Sequence, residues 1–120
     1  MRTLLAEDEP LVRSMIVSSL KEFGMDVVAT KTGDEAWSLI QGGHDFELLI
    51  TDVRMPGQID GIELAHRYKS RMPDAKIIVI SGYTAGRHSA NAKAYNFLAK
   101  PFTLEQLASL IHKVSPTTTW

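Results

Sequence analysis

The sequence reads LLITD at residues 48–52 and IIVI at residues 77–80. Neither run alternates apolar and polar side chains, so a strand formed there would be buried on both faces. Strands of this kind belong to parallel sheets that lie between two layers of helices. Each run also leads to a reactive side chain, because Asp52 ends the first and Ser81 follows the second. The two runs therefore predict an α/β fold whose inner strands end at polar residues.

Short apolar segments alternate with longer segments of helical period on either side of these runs. This alternation predicts a doubly wound α/β sheet of five parallel strands with about five helices, because parallel strands need crossover connections. A dinucleotide-binding fold is disfavoured, because residues 6–10 read AEDEP where that fold needs a glycine-rich turn. The predicted strands are Thr3–Ala6, Asp26–Thr30, Leu48–Thr51, Ile77–Ile80 and Phe97–Ala99.

Length, charge and composition limit the possible functions. The chain has 120 residues, enough for one domain, which we place at residues 1–114 with a C-terminal tail at 115–120. The net charge of −1 argues against a nucleic-acid partner, and the absence of cysteine excludes disulfides and thiolate metal sites. No apolar run has membrane-spanning length, and no signal peptide pattern precedes the first strand. We therefore expect a soluble cytoplasmic protein that does not bind membranes.

Polar side chains follow four of the five predicted strands. In parallel α/β sheets the carboxyl ends of the strands share one edge, and ligands bind at that edge. Three carboxylates, one hydroxyl and one ammonium group would meet there, a composition that suits a cation and a phosphoryl group. The residues concerned are Glu7, Asp8, Asp52, Ser81 and Lys100.

These groups can carry out phosphoryl transfer to an aspartate. Neighbouring carboxylates repel one another, and a hard cation such as Mg²⁺ relieves the repulsion while keeping water ligands that phosphoryl oxygens can replace. Asp52 is the best nucleophile, because it ends the central apolar strand and an open loop follows it. Glu7 and Asp8 are better placed as cation ligands. Lys100 and the Ser81 hydroxyl would stabilise the transferred group.

Each of these residues also has an ordinary structural interpretation. Acidic residues before a helix favour its dipole, and a single aspartate after a strand is more often a turn former or a helix cap. Ser81-Gly82 and Lys100-Pro101 are common loop pairs. Only their joint occurrence at one edge of the sheet favours a functional site.

At these residues the chain resembles the receiver domain of two-component response regulators, the CheY-like superfamily. The resemblance runs from Thr3 to about Val114 and implies a flavodoxin-like strand order of 2-1-3-4-5. It also implies a phosphoacceptor in a two-component system or phosphorelay. The matching segments, in family order, are LLAEDEP at 4–10, DVRMPG at 52–57, DG at 60–61, ISG at 80–82 and FLAKPF at 97–102.

The resemblance assigns a role to each matching position. The phosphoryl donor would be a phosphohistidine on a histidine kinase or a histidine phosphotransfer protein, and the signal would pass to a downstream protein target. We expect a monomer that promotes its own phosphoryl transfer and dephosphorylation and is not an enzyme acting on a separate substrate. The implied roles are phosphorylation for Asp52, binding of Mg²⁺ (or Mn²⁺) for Glu7, Asp8, Asp52 and the backbone carbonyl of Arg54, phosphoryl pairing for Lys100, switching for Ser81 and Phe97, and a cis bond for Lys100-Pro101.

The chain departs from the family pattern in three places. Glu7 stands where aspartate is more usual, and the loop from Met55 to Asp60 has one extra residue. The segment from Ser81 to Lys100 is shorter than usual by nearly a helical turn. We therefore expect a short or irregular helix between the fourth and fifth strands, which puts the usual dimer and target surfaces in doubt.

Arg54 and Tyr83 occupy positions that, in the family, flank the path of hydrolytic water. One hypothesis is that their bulk slows loss of the phosphoryl group, and the alternative is that both are solvated loop residues.

Three rival functions remain. A haloacid-dehalogenase-like phosphatase would need an aspartate at the position of Arg54, and a flavodoxin-like binding module would need a Ser/Thr/Gly phosphate cradle after the first strand. A degenerate receiver used only for docking is the third rival. The presence of the acidic pair Glu7 and Asp8, together with Asp52 and Lys100, argues against it.

Overall fold

The five strands form one parallel sheet in the computed structural model, which describes residues 2–81 and 95–114. Their order across the sheet is β2-β1-β3-β4-β5, and every neighbouring pair is parallel. The predicted fold class and strand order are therefore confirmed, with the third strand at the centre. The strands are β1 (Arg2–Ala6), β2 (Asp26–Thr30), β3 (Leu48–Asp52), β4 (Lys76–Ser81) and β5 (Asn96–Ala99).

Four helices lie within the described residues, and the first and the last illustrate how local sequence signals set a helix start. Pro10 occupies the first turn of the first helix. The capping box before the last helix forms in both directions: the Thr103 amide donates to the Gln106 side chain at 2.9 Å, and the Gln106 amide donates to the Thr103 hydroxyl at 3.1 Å. The helices are α1 (Pro10–Glu22), α2 (Gly33–Gln41), α3 (Gly61–Arg71) and α4 (Leu104–Val114).

The sheet separates two apolar layers. Every residue of β3 is buried, and successive side chains point to opposite faces. Leu49 lies in a cluster with Leu64 of α3, whereas Ile50 lies in a second cluster with Ile16 of α1. Burial on both faces is the physical reason why the inner strands carry continuous apolar runs.

The register of the sheet aligns the strand ends that matter for function. Ala6 at the end of β1 pairs with Thr51 in β3, and Ser81 at the end of β4 pairs with Ala99 at the end of β5. The residues that follow these positions therefore emerge at one edge of the sheet.

Two predictions fall on residues that the structure does not describe. The short or irregular helix was expected within residues 82–94, and the C-terminal tail was expected at 115–120; both segments lie outside the described residues. Among the helices of the described segments, none combines the length and the apolar character needed to cross a bilayer.

Gly61 allows α3 to begin directly against the end of β3. Its amide donates to the carbonyl of Val53 at 2.8 Å. A Cβ atom at Gly61 would overlap the carbonyl oxygen of Asp52, which belongs to the backbone and cannot turn aside. The close approach of the helix to this strand end therefore requires a glycine.

We expect Gly61→Ala to lower the free energy of unfolding by about 1–3 kcal/mol, because the added methyl group forces backbone shifts around Asp52. Urea unfolding measures this change. Gly42→Ala is the matched control, because a Cβ atom there would have its nearest contact at 3.4 Å, an ordinary distance. Equal stabilities of the two variants would contradict the close-approach argument.

Candidate functional site

The predicted site residues meet at the carboxyl edge of the sheet. Asp52 is the last residue of β3, Ser81 is the last residue of β4, and Glu7 directly follows β1. Asp8 comes next in the chain, and Lys100 directly follows β5. The parallel register brings these strand ends side by side, as the sequence predicted.

Asp52 is held at the centre of this edge by two hydrogen bonds to its carboxylate. The Val53 amide donates to Oδ1 at 2.9 Å, and the Lys100 ammonium donates to Oδ2 at 3.1 Å. Asp52 is only 7% exposed, so access to its carboxylate is limited. The Lys100 ammonium and the Val53 amide together fix the orientation of this carboxylate.

Glu7 is a fully buried carboxylate with one oxygen unpaired. Its Oε2 accepts a hydrogen bond from the Glu9 amide at 3.0 Å. Its Oε1 is buried and has no hydrogen-bond partner, and the Lys100 ammonium lies 3.8 Å away. Burial, with a further contribution from the charge of Asp52, raises the pKa of Glu7 from 4.5 to about 7. Ionisation of Glu7 in the folded protein therefore costs free energy.

Lys100 is the cationic partner of both carboxylates. Burial by itself lowers the pKa of this ammonium group, but the hydrogen bond to Asp52 and the charges of Asp52 and Glu7 outweigh it and raise the pKa above its ordinary value. Lys100 is therefore charged at neutral pH. A single ammonium group partly offsets the charge of the three carboxylates nearby.

The arrangement fits a hard divalent cation. Glu7, Asp8 and Asp52 each offer a carboxylate oxygen, and these oxygens lie within 4.8 Å of one another. Mg²⁺ prefers carboxylate oxygens and keeps several waters, and the half-exposed Asp8 leaves an open side for them. Glu7 Oε1 accepts no hydrogen bond, so it remains available as a ligand atom. These residues therefore suit a cation such as Mg²⁺.

Arg13 in α1 supports the acidic pair and was missed by the sequence analysis. Its guanidinium donates to the carbonyl of Glu7 at 2.9 Å and to the carbonyl of Asp8 at 3.4 Å. These bonds tie the loop after β1 to the first turns of the helix that follows. An arginine one turn into a helix that starts just after three acidic residues was the available signal, but such an arginine more often faces solvent.

The remaining predicted residues have different surroundings. Ser81 is buried, and its carbonyl accepts a hydrogen bond from the Lys100 amide at 2.8 Å. Phe97 in β5 is half-buried and packs against the cluster that contains Val79. Arg54 is exposed in the loop after β3.

Two further predictions concern residues near Lys100 and after β4. The Lys100–Pro101 peptide bond is cis. Tyr83 lies outside the described residues, so its predicted role beside Arg54 stays a prediction.

We expect Glu7→Gln to raise the free energy of unfolding of the metal-free protein by on the order of 1–3 kcal/mol at high pH. The raised pKa means that the folded state binds more protons than the unfolded state between pH 4.5 and about 7, so the stability of the wild type falls as the pH rises through that window. The increase in the free energy of unfolding caused by the neutral side chain should be absent below that window and complete above it. Urea unfolding in the presence of a chelator measures it.

Glu9→Gln is the control for this experiment, because Glu9 is exposed beside the same helix. A stability difference between Glu7→Gln and the wild type that stays constant with pH would contradict the assigned cause.

The sequence comparisons point to one family. The family described as response regulator receiver domain matches residues 3–112. The response regulator receiver protein CpdR of Brucella abortus (strain 2308) is 38% identical over 116 residues, which cover 94% of this chain and 95% of that protein. The sensor kinase CckA of the same strain is 35% identical over 92% of this chain, which corresponds to 12% of the kinase.

A comparison of structures agrees with the sequence comparisons. The response regulator protein TrrA from Thermotoga maritima, solved in complex with Mg²⁺-BeF, superposes with a TM-score of 0.84 at 30% identity, over 94% of this chain and 97% of that one. Since the family match, the near full-length relatives and the strand order all agree, the chain belongs to the family of response regulator receiver domains.

Proposed function

We propose that the chain is a phosphoacceptor of a two-component system or phosphorelay, in which Asp52 receives a phosphoryl group beside Mg²⁺ or Mn²⁺. The observation that carries the proposal is the Asp52 carboxylate, which is bonded to Lys100 at 3.1 Å and lies beside two further carboxylates. This combination serves both a cation and a phosphoryl group. The family of the chain supports the same interpretation.

The proposed reaction is an exchange of one bond to phosphorus for another. A carboxylate oxygen of Asp52 attacks phosphorus as the P–N bond to the donor histidine breaks, and the electron pair of that bond leaves with the imidazole. The product is an aspartyl phosphate. The bound cation would neutralise charge on the phosphoryl oxygens, and Glu7, Asp8, Asp52 and the backbone carbonyl of Arg54 are its proposed ligands.

Lys100 and Ser81 are the proposed partners of the transferred group. Lys100 already donates to Asp52, so a short movement of its ammonium would bring it to a phosphoryl oxygen. Ser81 ends the strand beside β3, where its hydroxyl would donate to another oxygen. Phe97 in the neighbouring strand is the proposed second element of the switch, through which phosphorylation would alter a surface seen by the downstream protein.

The proposed donor is a protein that carries phosphohistidine, either a histidine kinase or a histidine phosphotransfer protein. Two large apolar side chains are exposed one turn apart on α1, just after the acidic pair: Leu11 is 86% exposed and Met15 is 40% exposed. Apolar side chains exposed beside a reactive site favour a docking surface for a protein.

We also propose that the chain acts as a cytoplasmic monomer and passes its signal on through contacts with other proteins.

The proposed domain covers residues 1–114, with residues 115–120 as a tail. A stand-alone regulator and a receiver that is part of a larger kinase are both compatible with the relatives, since the chain spans 95% of CpdR and 12% of CckA.

We also propose that Arg54 and Tyr83 slow hydrolysis of the aspartyl phosphate. Arg54 is exposed two residues after Asp52, where its side chain is free to cover the approach of water.

A phosphatase of the haloacid-dehalogenase type is the second candidate considered. Such an enzyme needs an acid/base two residues after the nucleophile, and Arg54 stands at that position. Without that group the aspartyl phosphate would persist rather than turn over. The acceptor function is therefore favoured.

Incubation with Mg²⁺ and acetyl phosphate should add one phosphoryl group to the intact chain. Asp52→Asn should abolish the gain, because a neutral amide oxygen is a far weaker nucleophile than the carboxylate. Intact mass spectrometry measures the change. Asp26→Asn, at the opposite end of the sheet, is the control and should be phosphorylated like the wild type. Continuous release of phosphate without a stable adduct would favour the phosphatase instead.

Leu11→Ala should slow phosphoryl transfer from a phosphohistidine protein roughly tenfold, because one exposed apolar anchor contributes about 1–2 kcal/mol at a protein interface. The rate with acetyl phosphate should stay unchanged, since a small donor needs no docking surface. Val28→Ala, on the edge strand β2, is the control. Equal slowing with both donors would show that Leu11 affects the phosphoryl-transfer reaction itself rather than docking of the donor protein.

A further inference from the structure

Asp34 in the first turn of α2 binds the loop that follows the phosphoacceptor strand. The Gln58 amide donates to its Oδ2 at 3.2 Å, and the Ile59 amide donates to its Oδ1 at 2.8 Å. The two partners lie 24 and 25 residues further along the chain. One carboxylate therefore accepts two consecutive backbone amides of the loop between β3 and α3.

Two glycines allow α2 and the loop to come this close. Gly57 has a φ of +104°, a conformation that other residues rarely adopt, and a Cβ atom there would lie 2.9 Å from Asp34 Oδ2. On the helix side, a Cβ atom at Gly33 would overlap the carbonyl oxygen of Ile59. Both segments thus lack a side chain where they approach each other.

Asp34 is not needed to cap its own helix. The Thr32 hydroxyl accepts from the Glu35 amide at 3.0 Å, and the Glu35 carboxylate accepts from the Lys31 amide at 3.1 Å. The first of these bonds caps the N-terminus of α2, and the second holds the turn before it. The carboxylate of Asp34 is directed to the loop instead.

The contacts of Asp34 divide the loop into short spans. At its start, the Val53 amide donates to the carbonyl of Ile80 at 3.2 Å. At its end, the Gly61 amide donates to the carbonyl of Val53 at 2.8 Å. With Gln58 and Ile59 also held, only residues 54–57 remain between fixed points. That span contains Pro56, whose ring restricts the backbone further.

We propose that Asp34 is a positioning residue for the phosphoacceptor site, because it holds the loop that carries the backbone carbonyl of Arg54. The inference rests on the proposed function, in which that carbonyl is a ligand of the cation. Residues behind the ligands of a metal site orient those ligands, and their loss weakens metal binding. Asp34 does this from a neighbouring helix, without contact to the cation.

Asp34→Ala should weaken Mg²⁺ binding by roughly tenfold, a typical effect for a residue that orients a metal ligand. Mg²⁺ alone is titrated into the metal-free full chain and followed by NMR. In the same samples, hydrogen exchange should become faster at the Gln58 and Ile59 amides. Phosphorylation by acetyl phosphate should fall at limiting Mg²⁺ and recover at saturating Mg²⁺.

Two further variants complete the experiment. Glu35→Ala is the matched control, because it removes the same charge from the same helical turn but leaves the loop bonds intact, and its Mg²⁺ affinity should equal that of the wild type. Asp34→Asn keeps one acceptor oxygen and should bind Mg²⁺ with an intermediate affinity. If Asp34→Ala fails to fold, the Mg²⁺ affinity of Asp34→Asn tests the proposal instead.

Wild-type Mg²⁺ affinity in Asp34→Asn and Asp34→Ala, despite faster exchange of the two amides, would overturn the positioning role. An equal loss of affinity in Glu35→Ala would overturn it as well, because the effect would then come from α2 as a whole. A wild-type chain that binds no Mg²⁺ and gains no phosphoryl group would overturn the proposed function itself.

Discussion

Repulsion among three carboxylates at one edge of the sheet is the constraint on which the other features of the site depend. Glu7, Asp8 and Asp52 offer oxygens within 4.8 Å of one another, and burial raises the pKa of Glu7 to about 7. Groups that repel in this way move apart unless the chain holds them. Lys100 supplies the countercharge, and backbone contacts supply the restraint. The resulting excess of negative charge is what makes the site suited to a cation.

The restraint comes from the parallel topology. Parallel strands bring their carboxyl ends to one edge, so residues far apart in sequence, such as Glu7, Asp52 and Lys100, become neighbours. The loops at that edge are then fastened individually. Arg13 holds the loop after β1 through two carbonyls, and Asp34 holds the loop after β3 through two amides. Helices on both sides of the sheet therefore determine the geometry of the site as well as cover the core.

The prediction from sequence succeeded where the signal is local or periodic. The continuous apolar runs identified β3 and β4, because burial on both faces leaves a pattern within a few residues. It missed Arg13 and Asp34. The contacts of Asp34 join segments whose proximity is set by the packed fold, whereas Arg13 binds the loop just before its own helix. A single charged residue near a helix start has the same local pattern whether it binds a loop or faces water.

The sequence by itself determined the fold class, the strand order through the family resemblance, and the set of polar groups at the strand ends. These follow from patterns of burial and from residue types at fixed positions. The tertiary structure alone decided that Glu7 is fully buried with an unpaired oxygen, that Lys100 lies 3.1 Å from Asp52, and that α2 holds the loop after β3. Those properties depend on distances between segments that meet only when the apolar layers pack, and such distances are not encoded in any one stretch of the chain.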